Sequence, residues 1–85
     1  MSTPLMKSVA VTIRRSRKYR NMSQEELAHQ AGLDRTYISG VERGVRNITI
    51  DSLSQIIEAL DISNLSFLEA VIREIKSEIS DKPEY

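Results

Sequence analysis

Between Ser23 and Gly44 two short amphipathic runs sit so close together that only a tight helical corner can join them. Ser23 is a strong N-cap, and Glu26 three residues later completes a capping box. Met22 before the cap and Leu27 within the first turn are placed for a hydrophobic staple. Leu27, Ala28 and Ala31 put one apolar stripe on the first run. Gly32 then supplies a residue that turns left-handed at low cost, and Leu33 plugs the corner. Asp34 is expected to cap the second run, Ile38 and Val41 to form its inner face, and Gly44 to end it.

This assignment leaves Arg35, Thr36, Tyr37, Ser39 and Arg43 on the outer side of the second run. They are donors, acceptors and long cations with little to bury them. Such a face suits base edges and phosphates in a DNA major groove, which is wide enough to admit a helix. Gln24, Ala28, Gly32, Leu33, Ile38 and Val41 fall at the spacings of the lambda-repressor-like (Xre) helix-turn-helix family, and residues 24–43 resemble that motif. The plainer alternative is a helical hairpin inside a small bundle.

Length and composition narrow the class. Eighty-five residues allow one domain, with a core modest enough that dimerisation would supplement it. With no Cys there is neither a disulfide framework nor a thiolate metal site. No long apolar run and no signal-peptide pattern are present, so a cytoplasmic location with no membrane contact is the expectation. The net charge is zero, but residues 1–50 carry nine Lys/Arg against four Asp/Glu, and residues 51–85 three against eight. A basic half facing DNA and an acidic half turned away would give this pattern, as would chance on a solvated surface.

Read in order, the chain is an all-α, five-helix sequence. Thr3-Pro4 starts the first helix, which runs to about Tyr19 with Val9, Ala10 and Ile13 inward. Arg14, Arg15, Arg17, Lys18 and Arg20 crowd its end, where cations favour the helix dipole and can also reach phosphates. Val45-Arg46-Asn47 form a polar loop. Thr49 caps a fourth helix near Ile50–Leu60, with Leu53, Ile56, Ile57 and Leu60 on one face. Ser63 caps a fifth near Asn64–Ile79. That helix carries Leu65, Phe67, Leu68, Val71, Ile72, Ile75 and Ile79, more apolar surface than one face needs. A two-fold homodimer would cover the surplus, with Phe67, Leu68, Val71 and Ile75 as candidate interface residues.

The run LDRTYISGVERGVRNITIDSL is similar to the controller proteins of restriction-modification systems, a resemblance that covers about Val9–Ile79. It implies a five-helix dimer; the residues themselves offer no cofactor or metal site. It also implies binding to double-stranded operator DNA, one or two dimers on adjacent sites, upstream of the controller's own gene and the endonuclease gene. Activation at low level and repression at high level follow from the same likeness. So do the residue roles. Arg35 would read guanine and Thr36 a base or thymine methyl. Tyr37 would reach the backbone or sense a bendable step, unless its ring is a half-buried core aromatic. Gln24 and Ser39 would bind phosphate, and Arg43, Arg46 and Asn47 would hold the flanking backbone. Arg17 and Glu42 match a buried ion pair of Xre-like domains, whereas Ser16 departs from their usual leucine-like residue. Glu25 matches an acidic position that family activators present to RNA polymerase, although acids at a helix start also favour the dipole.

No nucleophile–base pair, metal-ligand spacing or phosphate loop argues for an enzyme. His29, the sole histidine, reads as an exposed helix position. A phage-type repressor or antitoxin with the same domain, and a protein-interaction module without DNA binding, are the competing readings.

Overall fold

The computed structural model describes residues 3–80. They form five helices: α1 Pro4–Tyr19, α2 Gln24–Ala31, α3 Arg35–Glu42, α4 Ile50–Ala59 and α5 Asn64–Ser80. Local chemistry sets almost every boundary. The Thr3, Ser23, Thr49 and Ser63 hydroxyls each accept an N–H three residues on, at 3.0–3.1 Å. Around Ser23 the capping box is closed by the Glu26 carboxylate, which accepts the Ser23 N–H at 2.8 Å.

The helix ends share one device. Asn21, Gly32, Gly44 and Asp61 have φ of 57°, 70°, 75° and 58° and stop α1 to α4. After α2 the Leu33 N–H returns to the Ala28 carbonyl at 2.9 Å, the outer bond of a Schellman turn. The same bond after α1 runs from Met22 to Arg17 at 3.1 Å, and after α3 from Val45 to Gly40 at 2.9 Å.

Asp34 departs from the expected cap. It stands at the N-cap position of α3, but its side chain makes no cap hydrogen bond. The Tyr37 N–H, which a capping carboxylate would take, is bonded instead to the Asp34 carbonyl at 3.0 Å.

One core joins the helices. Ile13, Leu27, Ile38, Val41, Ile56, Leu60 and Phe67 are wholly buried, one or two from each helix. Ala28 and Ala31 fill the close approach between α2 and its neighbours. Gln55 on α4 donates to the Ala31 carbonyl at 3.2 Å, fastening the end of α2. Among the described residues, every buried polar side-chain atom has a hydrogen-bond partner.

The seven apolar residues of α5 separate by direction. Phe67 and Val71 are 0% and 4% exposed and belong to the chain's own core. They are therefore not available as interface residues. Four residues apart, they share the stripe that faces inward. Ile75 is half-buried against the same core. Leu65, Leu68, Ile72 and Ile79 lie on the flank and stay exposed.

The charge asymmetry is partly satisfied within the fold. Arg15 of α1 pairs with Glu74 of α5. Arg20 donates to the Asp61 carbonyl at 2.6 Å and lies 3.6 Å from its carboxylate. Two of the cations near the end of α1 thus tie the basic half to the acidic half. Ser16 lines a cleft of about 640 Å³ between α1 and α5.

Candidate nucleic-acid interface

The geometry of α2 and α3 is set from beneath. Ile38 and Val41 are 0% exposed, which fixes the roll of α3 about its axis. Arg35 and Thr36 in its first turn are consequently exposed, Ser39 is half-buried, and Arg43 just past its end is exposed. The Arg43 side chain folds back, with Nε donating to the Ser39 carbonyl at 3.4 Å. Bidentate donors at the start of an outward helix are what base-edge recognition in a major groove needs.

A buried ion pair holds the far end of this helix. The Arg17 Nε and one terminal nitrogen donate to the two Glu42 carboxylate oxygens at 2.7 and 3.0 Å. The side chains are 9% and 3% exposed. Arg17 also donates to the Met22 carbonyl at 2.7 Å, so it bonds both the turn after α1 and the last residue of α3. The guanidinium fork matches the planar carboxylate, and the third nitrogen is used on backbone.

Gln24 joins this network, which the sequence reading did not anticipate. Its Nε2 donates to Glu42 Oε1 at 3.0 Å. One amide hydrogen is thereby committed inside the protein, and only the other remains for a phosphate. The chain carries a signal for this only in retrospect: the start of α2 and the end of α3 are brought side by side by the corner at Gly32.

Tyr37 and Arg46 form a second unit. Tyr37 is half-buried: part of its ring packs against the core and part stays accessible. Its hydroxyl donates to the Asn47 carbonyl at 3.4 Å. The Arg46 guanidinium carbon lies 5.1 Å from the ring centroid, within cation–π range. Arg46 and Asn47 are both exposed beside the second half of α3. Of the expected residues, Tyr37, Arg46 and Asn47 are thus in contact with one another, Arg43 is tied to Ser39, and Arg35 and Thr36 are exposed in the first turn of α3. Among the described residues no three or more His, Asp or Glu side chains cluster so as to hold a metal ion.

A two-helix corner whose second helix presents this face defines a helix-turn-helix protein. The helix-turn-helix family model matches residues 13–67, and the chain belongs to that family. Within it, the chain is similar to the control protein C.BamHI of Bacillus amyloliquefaciens, 47% identical over 49 residues, covering 58% of this chain and 60% of the relative. It is likewise similar to the control protein C.SmaI of Serratia marcescens, 46% identical over 55 residues, covering 65% and 66%. The matched stretch thus spans less than two thirds of each of these relatives' own lengths. A fuller likeness is to the crystal structure of the restriction-modification controller protein C.Esp1396I tetramer in complex with its natural 35 base-pair operator. There the TM-score is 0.85 at 44% identity, covering 87% of this chain and 97% of that chain.

Proposed function

We propose that this chain is a restriction-modification controller: a homodimeric, sequence-specific DNA-binding regulator of its own and the endonuclease gene. The observation that carries the reading is the outward face of α3, with Arg35 and Thr36 exposed above the wholly buried Ile38 and Val41. Arg35 reads a base, Thr36 and Tyr37 add local readout, and Gln24, Ser39, Arg43, Arg46 and Asn47 contact the backbone. The five helices act as one DNA-binding unit in the cytoplasm, without enzymatic activity. No helix among the described residues is long and apolar enough to cross a membrane. Glu25, exposed in the first turn of α2, is the proposed contact to RNA polymerase.

The test is selection of bound duplexes from a randomised DNA pool, followed by affinity on the selected and on random sequence at fixed salt. A specific site is expected to emerge as an inverted repeat, because two-fold protein symmetry imposes two-fold site symmetry. Selection without enrichment would refute specific binding.

The dimer face is proposed on the exposed flank of α5, at Leu65, Leu68 and Ile72, with Ile75 at its inner edge. Leu68 is 51% exposed and Ile72 49%, so none of the described residues covers these side chains. Leu68→Asp should weaken dimerisation about tenfold or more, as loss of a central interface side chain does. Operator affinity should fall with it. Sedimentation equilibrium checks this, and a native chain that stays monomeric at tens of micromolar would refute the face.

A further inference from the structure

Gly40 sits inside α3, an eight-residue helix, where glycine is a poorer helix former than any residue but proline. Its φ is not positive, unlike that of Gly32 or Gly44, so backbone freedom does not account for it. The space around it does. A Cβ at Gly40 would lie 2.4 Å from the Cγ of Arg46 and 3.3 Å from its Cβ. The Arg46 Cβ is held by the backbone and would have to give by a few tenths of an ångström, while the Cγ could leave only by turning about the Cα–Cβ bond, which swings the rest of the side chain off the Tyr37 ring. The loop that carries Arg46 is bonded to the same glycine: the Gly40 carbonyl accepts the Val45 and Arg46 N–H groups at 2.9 and 3.2 Å. From this seat the Arg46 guanidinium extends over the Tyr37 ring, 5.1 Å from its centroid.

We propose that Gly40 is a positioning residue for DNA binding. By lacking a side chain it seats the stem of Arg46 against the recognition helix, so that Arg46 and Tyr37 meet the duplex as one preformed unit. This rests on the reading of α3 as a recognition helix. Stacking occupies the face of a guanidinium and leaves its edge N–H donors for phosphate. A cation already held in place also loses less rotamer freedom on binding than one on a free loop.

The experiment compares Gly40→Ala, Arg46→Ala and the double variant on the selected duplex and on random sequence between about 50 and 200 mM salt. Arg46→Ala should lower the salt slope by about one unit per protomer, about two per bound dimer, leaving a deficit about twelvefold larger at the low-salt end. Gly40→Ala should reproduce that slope although it deletes no donor, and the double variant should bind no more weakly than either single one. A merely destabilised fold would lower affinity by a factor independent of salt. In free protein, the Arg46 Nε–H resonance should lose its ring-current shift in Gly40→Ala, as it should in Tyr37→Leu. An unmoved resonance in Gly40→Ala, or a wild-type slope there beside a reduced one in Arg46→Ala, overturns the seat. A wild-type slope in Arg46→Ala itself overturns the DNA role of both residues, while the recognition-helix reading is judged separately by Arg35. Should Gly40→Ala not fold, the cycle of Tyr37→Leu with Arg46→Ala decides: coupled losses support one unit, and additive losses overturn it.

Discussion

Arg17→Ala is expected to lower folding stability by about 3–5 kcal/mol, the usual cost of breaking a buried pair from one side. Both partners are nearly inaccessible, at 9% and 3% side-chain exposure, and each would leave the other's charge in a dry site. An exposed pair would cost about 1 kcal/mol or less, so the two cases are well separated. Glu42→Ala should behave alike, and slightly worse in its local consequences, because it also releases the Gln24 amide. Losses in the double Ala variant should be smaller than the sum, since the second truncation removes the charge that the first one stranded. Denaturant midpoints at one fixed protomer concentration make the measurement, because dimerisation otherwise shifts apparent stability. Midpoints within a few tenths of a kcal/mol of the native chain would show that water reaches the pair. Arg15→Ala is the useful contrast: its partner Glu74 is largely covered, but Arg15 itself is 74% exposed, and only a small change is expected.

Arg35→Ala should cost about 1–3 kcal/mol on the selected operator and relax preference at one base pair per half-site. In the proposed docking, its position in the first turn of α3, above buried Ile38 and Val41, would aim it at the groove floor rather than the groove walls. On random sequence the loss should be smaller, because a base contact contributes only where its base is present. Arg46→Ala makes the opposite pattern, weakening operator and random DNA about equally. Binding isotherms on the operator, on single base-pair variants of it and on random duplex separate the two. If Arg35→Ala keeps full discrimination at every operator position, base reading passes to Thr36 or Tyr37.

The helices were legible in the chain because what starts and stops them is local. Thr3, Ser23, Thr49 and Ser63 each bond an N–H three residues away, and Gly32 and Gly44 turn the chain left-handed within two residues of a helix end. Asn21 and Asp61 do the same work with side chains that mark it less plainly. The inward faces of α2, α3 and α4 were legible for a related reason: each carries few apolar residues at one helical spacing, so only one roll of the helix buries them.

The α5 residues could not be apportioned in that way. Its seven apolar side chains fill a continuous arc of roughly 160°, wider than the core covers, and several rolls would bury enough of them. Contact with α1 and α4 selects the roll that buries Phe67 and Val71 and leaves Leu65, Leu68 and Ile72 outside. The same holds for the polar details of the candidate site. Whether Gln24 faces solvent or Glu42, whether Arg15 and Arg20 face phosphate or the acidic helices, and where Arg46 rests are matters of which elements meet. Sequence by itself determined the five helices, the corner at Gly32 and the outward face of α3, because hydrogen bonds spanning three to five residues and a single apolar stripe suffice for them. Only the tertiary structure decided the bonds from Gln24 to Glu42, from Arg15 to Glu74 and the seat of Arg46 on Gly40. These partners come from different elements, and only packing of the shared core brings them within reach.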